Sequence, residues 1–187
     1  MDPSKRTVSA ESMQAEWAEI QAAQRDASQF LPLYNRYYEP IFRFIFRRTA
    51  DENLTADLCS QVFLKAMQRL GNYSFKGVPF SAWLYRIAGN EVAQYYRAFK
   101  KNRVVSMEDA GFSDIMEEMD ETDNEALRQL LIQQLDNLKD SDLQLIELRF
   151  FEHRPFKEIA EILDMTESNA KVKTYRILER LKKRLSN

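Results

Sequence analysis

Hydrophobic residues recur along most of the chain at intervals of three and four, the spacing that places side chains on one face of an α-helix. This pattern predicts helices over residues 10–25, 30–48, 51–70, 127–138 and 142–151. In the third of these the apolar face consists of Leu54, Leu58, Val62 with Phe63, Ala66 and Leu70. The pattern indicates helices only, so we expect an all-α fold.

A break follows the third predicted helix. Gly71 and Asn72 end it, and Gly77 and Pro79 mark a loop before a further helix begins at Phe80. This helix has two different faces. One is apolar and comprises Leu84, Ile87, Ala88, Val92 and Tyr95. The other combines an aromatic ring, amides and cations at Trp83, Arg86, Asn90, Gln94, Arg97 and Lys101.

The C-terminal segment has the pattern of a helix-turn-helix. A short helix with Ile159, Ala160 and Leu163 precedes a turn at residues 164–166 and a longer basic helix. Thr166 is suited to cap this second helix, because its hydroxyl can accept a hydrogen bond from a first-turn amide. The inward face of the second helix is predicted to consist of Ala170, Thr174, Ile177 and Leu181.

Composition supports a globular helical protein. The 187 residues are 44% hydrophobic and 12% aromatic, with four glycines and five prolines, which favours helices joined by short loops. The N-terminus lacks the apolar segment of a signal peptide, and no run of about 18 apolar residues occurs. We therefore expect a soluble cytoplasmic protein without membrane insertion.

Charge is segregated along the chain although the net formal charge is only −2. Residues 104–126 contain nine acids and no Lys or Arg, whereas residues 167–187 contain seven basic residues and two acids. Residues 80–103 contain five basic residues and one acid. Two basic segments thus flank an acidic one. The acidic segment shows no clear hydrophobic period and resembles a tether. The basic segments are candidate nucleic-acid surfaces.

Little in the sequence suggests catalysis. Cys59 is the single cysteine and His153 the single histidine, so neither an intrachain disulfide nor a histidine-cysteine metal cluster is expected. No partner residues for a nucleophile are evident around either residue. We expect a protein that is not an enzyme and that needs no cofactor, metal or small-molecule substrate.

The two basic segments suit different forms of nucleic acid. Cations beside aromatic rings, as in residues 80–103, fit a separated single strand, because cations follow phosphates while rings stack on unpaired bases. The basic helix of the C-terminal motif fits the major groove of a duplex. Neither segment need bind nucleic acid. Trp83 and Tyr96 could instead fill a hydrophobic core, and the basic helix could be a solvated helix of an ordinary bundle.

Taken in order, the segments ADLCSQVFLKAMQRL, NYSFKGVPF, AWLYRIAGNEVAQYYR, an acidic stretch and LIELRFFEHRPFKEIAEILDMTESNAKVKTYRILERLKK resemble a bacterial RNA polymerase sigma factor of the extracytoplasmic-function (ECF) group. The resemblance covers residues 28–185. It implies a region 2-like domain at 26–103 that docks on core polymerase and melts the minus-ten element. It also implies an acidic linker at 104–126 and a region 4-like domain at 127–187 that reads the minus-thirty-five element. Residues 1–25 are predicted to form a helical extension of unassigned role.

The same resemblance assigns residues to sites. It implies that Asp57, Gln61 and Lys65 contact core polymerase. Contacts with the melted minus-ten strand fall to Tyr73, Phe75, Lys76, Phe80, Trp83, Arg86, Asn90, Arg97, Lys100, Lys101 and Arg103. Contacts with the minus-thirty-five duplex fall to Ser168, Asn169, Lys171, Val172, Lys173 and Arg176.

The implied partners are promoter DNA, duplex and melted, and the clamp coiled coil and flap of core RNA polymerase. An anti-sigma factor is a further partner that the family allows. Asp164 stands in the turn where the family usually has glycine, and Asp tolerates the left-handed conformation better than most residues. A stand-alone helix-turn-helix regulator of duplex operators is the alternative. It would account for the C-terminus but not for the aromatic and basic face of residues 80–103.

Overall fold

The computed structural model describes residues 8–99, 110–122 and 124–186, which divide between two compact units. The first unit holds residues 8–99, and the second holds the remainder. The described residues form nine α-helices and no strand, so the all-α prediction is confirmed. The helices are α1 (Ala10–Arg25), α2 (Leu31–Thr49), α3 (Glu52–Arg69), α4 (Phe80–Phe99), α5 (Ala110–Glu118), α6 (Glu125–Asp136), α7 (Asp140–Ile146), α8 (Phe156–Leu163) and α9 (Glu167–Leu185).

Helices α2, α3 and α4 form the core of the first unit. The predicted apolar face of α3 is confirmed at Leu58, Val62, Phe63, Ala66 and Leu70, which are buried, whereas Leu54 is only partly buried. The ring of Phe44 on α2 meets the ring of Tyr85 on α4 edge to face at 5.1 Å, and both side chains are enclosed. This packing fixes the direction of α4 and hence the side of the helix that faces solvent.

The connection between α2 and α3 is fixed by local hydrogen bonds. Ala50 takes a left-handed conformation and ends α2, and the Asp51 carboxylate then caps α3 by accepting from the amide of Leu54 at 3.0 Å. The hydroxyls of Thr49 and Thr55 lie 2.6 Å apart in the interior. These contacts hold α2 and α3 in a tight hairpin.

In the second unit α6, α7, α8 and α9 surround an aliphatic core. Its enclosed side chains include Leu131, Leu135, Leu145, Ile159 and Ile177. The helix predicted over residues 142–151 is continuous in the chain but changes geometry, because α7 passes into a wider π-helical turn at Glu147–Phe151. That turn leads into the helix-turn-helix formed by α8 and α9.

Helix α5 corrects the expectation that residues 104–126 have no period. Its apolar residues Phe112, Ile115 and Met116, and Met119 just beyond it, follow helical spacing and are buried within the second unit. The Phe112 ring packs edge to face on Phe151 at 5.5 Å. The dense acidic residues between these positions conceal the pattern in the sequence. Residues 100–109 lie outside the described part of the chain.

None of the helices in the described residues is long and apolar enough to cross a lipid bilayer.

Candidate nucleic-acid interface

The loop between α3 and α4 presents one aromatic ring and one cation to solvent. After a short 3₁₀ turn at Leu70–Asn72, the chain exposes Phe75 and Lys76, whereas Val78 beyond them is buried. Gly77 has φ 71°, a left-handed conformation that favours glycine, and it turns the chain back toward α4. With 41% of its surface exposed, Phe75 is the exposed aromatic residue of this loop.

Three rings form a cluster beneath the loop. The Tyr73 ring lies 4.8 Å from Trp83 and 5.2 Å from Phe80, and the Phe80 ring lies 5.4 Å from Trp83. Tyr73 and Phe80 are buried, while Trp83 is partly exposed. This placement differs from the sequence prediction that Tyr73 and Phe80 contact a strand directly. Both rings are held in the core, where they support the loop and the partly exposed ring of Trp83.

Helix α1 packs directly against this loop, a relationship that the sequence analysis missed. The Trp17 ring lies 6.2 Å from Tyr73 and 6.1 Å from Phe75. The Gln24 amide donates to the carbonyls of Leu70 and Tyr73, at 2.9 Å each. A signal was present, since Trp17 and Gln24 lie two turns apart on the same helical face of a mostly polar helix.

The polar face of α4 continues away from the loop. Asn90, Gln94 and Arg97 are exposed along it as predicted from the spacing, and Arg86 is partly buried. The predicted apolar residues of the opposite face, Leu84, Ile87, Ala88 and Val92, are buried, and Tyr95 is partly so. Lys100, Lys101 and Arg103 were predicted to extend the cationic row, but they lie outside the described residues.

The outer face of α3 differs in part from its prediction. Asp57 and Gln61 are exposed, as expected for docking residues. Lys65 instead lies against α4, with its ammonium 2.6 Å from the carboxylate of the buried Glu91. Its charge is therefore already engaged within the unit, which corrects its expected outward position. The apolar residues Leu64 and Met67 of the same helix are exposed and were not predicted as part of this surface.

The start of α9 has the geometry expected for a recognition helix. The Thr166 hydroxyl accepts from the amide of Asn169 at 3.2 Å, which confirms the predicted cap. Asp164 stands where the family usually has glycine, and it adopts the left-handed conformation expected of that position, with φ 55°. The predicted inward residues Ala170, Thr174, Ile177 and Leu181 are all buried.

The outward face of α9 contains most of the predicted contact residues. Exposed here are Ser168, Asn169, Lys171, Val172 and Arg176, joined by Tyr175, which the sequence analysis did not single out. Lys173 is only partly exposed and pairs with the buried Asp142 at 3.0 Å. Its ammonium therefore points toward α7, which differs from the expected orientation toward DNA.

Acidic residues at the end of α5 and just after it lie beside α9. The Glu121 carboxylate lies 3.7 Å from the Lys182 ammonium, which also donates to the carbonyl of Met119. Burial, and after it the negative charge of the nearby Glu118 carboxylate, raise the pKa of Tyr175. One edge of the exposed face of α9 is thus bordered by negative charge.

Cys59 is unsuited to nucleophilic chemistry. Its side chain is enclosed, and burial raises the pKa of the thiol to about 12, so the reactive thiolate is scarce at neutral pH. His153 lies in the turn before α8, 3.3 Å from the Asp114 carboxylate. Within the residues that the structure describes, no group of three or more His, Cys, Asp or Glu side chains is arranged to hold a metal ion.

Comparison with known families and proteins places the chain among transcription proteins. Residues 33–102 match the family model Sigma-70 region 2, and residues 128–181 match Sigma-70, region 4. The RNA polymerase sigma factor YlaC of Bacillus subtilis is 31% identical, over 82% of this chain and 90% of its own. The ECF RNA polymerase sigma factor BldN of Streptomyces coelicolor is 28% identical over 86% of this chain, which spans 61% of that protein.

A solved structure of the RsbN–BldN complex also aligns with the chain. It is 25% identical and covers 89% of this chain and 98% of its own, with a TM-score of 0.39.

Proposed function

The chain belongs to the extracytoplasmic-function (ECF) group of RNA polymerase sigma factors, and from this premise we propose how it directs transcription initiation. In this proposal the protein binds core RNA polymerase and brings it to particular promoters. The polymerase supplies the chemistry of RNA synthesis. The sigma chain supplies sequence recognition at an upstream duplex element and capture of bases at the minus-ten element. Its proposed domain division is 26–103, 104–126 and 127–187.

The observation that carries the minus-ten role is the position of Phe75. Its ring is exposed on the loop, next to Lys76 in the chain, and Trp83 in the first turn of α4 is partly exposed. An exposed ring can stack on an unpaired base, which contributes about 1–3 kcal/mol per base. That contribution offsets the cost of unstacking a base from the duplex, which is on the order of a few kcal/mol. Capture of a base on this loop would therefore favour the melted promoter.

The exposed face of α4 would hold the backbone of the same strand. Asn90 and Arg97 are exposed along it, and the cations of residues 100–103 follow in the sequence. A row of cations next to a base-stacking residue is the arrangement expected of a surface for single strands. An ordinary duplex-binding protein would have no need for exposed rings beside its cations.

The upstream duplex would be read by α9. Asn169, Lys171 and Arg176 lie on its exposed face within the first three turns, where a recognition helix contacts base edges. Asn suits adenine, and Lys or Arg suits guanine or phosphate. Because both DNA sites belong to one chain, binding of one raises the effective concentration of the other, provided that the connection allows both to engage.

Docking on core polymerase would use the outer face of α3. Asp57 and Gln61 provide polar groups there, and the exposed Leu64 and Met67 provide apolar area. We propose the clamp coiled coil as the partner of this face and the flap as the partner of the C-terminal unit. An anti-sigma factor as a further partner stays a prediction from family membership.

The experiment that tests the function is reconstituted transcription. The purified chain is mixed with core polymerase and genomic fragments, and new transcripts are mapped to their start sites. We expect promoter-specific transcripts that depend on the added chain. An absence of transcripts, together with binding of duplex operators by the chain alone as a dimer, would support a stand-alone regulator instead.

A further inference from the structure

We propose that helix α1 acts as a brace that sets the shape of the base-capturing loop, with Glu16, Trp17 and Gln24 as positioning residues. This inference rests on the proposed function of the loop, residues 73–79. It assigns a role in promoter opening to the N-terminal helix, which lies outside the matched region 2 model at residues 33–102. Three separate contacts carry it, one at each end of the loop and one at its exposed ring.

The first contact holds the start of the loop. The Gln24 side chain donates one hydrogen bond to the carbonyl of Leu70 and one to the carbonyl of Tyr73, at 2.9 Å each. An amide NH₂ group has two donors, and both are used here. The two carbonyls bracket the turn from which the loop leaves α3. A side chain without donors at position 24 would release both carbonyls together.

The second contact holds the end of the loop. A carboxylate oxygen of Glu16 accepts from the backbone amide of Phe80, the first residue of α4, at 2.8 Å. The first amides of a helix have no partner within the helix, and a negative charge there is favoured by the helix dipole. Glu16 thus caps α4 from 64 residues away in the sequence, and it is only 7% exposed.

The Glu16 carboxylate is itself held in place from α2. The Tyr37 hydroxyl donates to its second oxygen, and the Arg36 guanidinium lies 3.5 Å from the same oxygen. Burial and the adjacent Glu16 charge raise the pKa of the Tyr37 phenol, so the hydroxyl stays protonated as a donor. Because both oxygens have partners, the cap has little freedom to rotate away from Phe80.

The third contact reaches the exposed ring. The Trp17 indole lies 6.1 Å from the Phe75 ring at an interplanar angle of 33°, and 6.2 Å from the Tyr73 ring. Phe75 is therefore supported on one side while its other side remains open to solvent. An exposed ring with a fixed orientation loses less conformational entropy when a base stacks on it. The brace would thereby increase base capture without touching DNA.

The test compares Gln24→Glu with Gln21→Glu in the full chain bound to core polymerase. Both substitutions add one negative charge to α1 and nearly preserve side-chain size. Only the first replaces donors by acceptors opposite two carbonyls, because Gln21 lies on the exposed face. The probe is a forked promoter fragment whose minus-ten non-template strand is single-stranded, with 2-aminopurine at the captured position. Affinity and fluorescence are both measured.

We expect Gln24→Glu to weaken binding of the forked probe by roughly tenfold, the loss of one to two net hydrogen bonds. It should also reduce the fluorescence change of 2-aminopurine. Gln21→Glu should resemble the parent chain. Amide hydrogen exchange should accelerate at residues 73–78 in the Gln24 variant while α2 and α3 keep their protection. Neutral Gln24→Met should reproduce the loss, which separates the missing donors from the added charge.

Two results would overturn the brace. One is forked-probe binding by Gln24→Glu equal to that of Gln21→Glu. The other is an equal loss of core polymerase affinity and of protection throughout α2 and α3, because that would show a general folding role. Failure of the parent chain to bind the forked probe would instead contradict the proposed function of the loop.

Discussion

The ammonium of Lys173 lies 3.0 Å from a carboxylate oxygen of Asp142, so this cation of α9 is engaged within its own unit. Arg180, two turns further along α9, lies 2.7 Å from the other oxygen of the same carboxylate. Asp142 is buried, with 7% of its surface exposed. The ion pair therefore fastens α9 to α7 and sets the rotation at which the remaining polar residues face outward.

This arrangement predicts different effects for two lysines that lie two positions apart in the sequence. Lys171→Gln and Lys173→Gln each remove one positive charge from α9. The first should weaken promoter binding, because Lys171 is exposed. The second should mainly lower stability, by about 1–2 kcal/mol, since a charged hydrogen bond to Asp142 is lost. Salt-dependent DNA affinity and thermal unfolding of both variants provide the check. If Lys173→Gln instead changed the preference for particular base pairs in the promoter, the Lys173 side chain would contact DNA.

Asp142 should make the stability of the C-terminal unit depend on pH. Burial alone would raise the pKa of this carboxyl, but hydrogen bonds from Arg180 and Lys173 outweigh burial and hold the pKa below its usual range. A lowered pKa in the folded state stabilises the protein above the unfolded pKa, and this contribution is lost as pH falls through the folded value. Asp142→Asn should thus be less stable by about 2 kcal/mol at pH 7.

The difference between Asp142→Asn and the parent chain should shrink as pH falls below about 4. Urea unfolding at a series of pH values and constant ionic strength measures it. A difference that stays constant across this range would show that the lost stability comes from packing rather than from the charge.

Phe75 should affect melting more than binding to an open template. Phe75→Ala should reduce open-complex formation by about tenfold, consistent with 1–3 kcal/mol for one stacked base. A template mismatched over the minus-ten region should recover much of the loss. Phe75→Leu keeps apolar bulk but lacks a π face, so it should resemble Phe75→Ala. Potassium permanganate footprinting reports the melted thymines, and equal losses on both templates would count against base capture.

Much of the helical framework could be predicted because helix signals are local. The spacing of apolar residues marked the inward face of α3, and Thr166 marked the start of α9 through a contact only three residues away. The left-handed conformation of Asp164 followed from its place in a tight turn. Such features depend on neighbours within one or two helical turns, which the sequence displays directly.

The errors concern side chains whose partners are distant in sequence. Lys65 pairs with Glu91 on another helix, and Gln24 reaches Leu70 across 46 residues. A spacing rule assigns a lysine to the outward face, but a buried carboxylate on the neighbouring helix attracts its ammonium inward. In α5 the acidic residues concealed an apolar face in the sequence. The structure reveals that face because Phe112 packs against Phe151, a residue distant in the sequence.

Gly111 should be required for the packing of α5. A methyl group at this position would lie 2.4 Å from a ring carbon of Phe151, well inside contact distance. Gly111→Ala should therefore destabilise the second unit by about 1–3 kcal/mol, the usual range for overpacking. Gly71→Ala is the matched control, because a methyl group there meets nothing within 4 Å. Thermal unfolding measures both, and equal stability of the two variants would show that the Phe151 ring moves aside without cost.

The acidic segment around α5 should weaken DNA binding by the free protein. The Glu118 charge acts on Tyr175, and Glu121 pairs with Lys182, so two acids border the exposed face of α9. Changing Glu117, Glu118, Asp120 and Glu121 to their amides keeps length and polarity but removes four charges. We expect tighter binding of promoter duplex at low salt, because DNA is then repelled less.

That gain should diminish as ionic strength rises, since the Debye length falls to about 8 Å near physiological salt. Two double variants distinguish shielding by the acids that lie beside α9 from repulsion by the overall negative charge of the segment. Glu118→Gln with Glu121→Gln removes the acids that reach α9, whereas Glu117→Gln with Asp120→Asn removes two exposed acids nearby. Direct shielding requires a larger gain in duplex affinity from the first pair, and equal gains would assign the effect to overall charge.

Unchanged duplex affinity in the fourfold variant at low salt would exclude shielding. Unchanged affinity for core polymerase as well would leave the segment as a spacer.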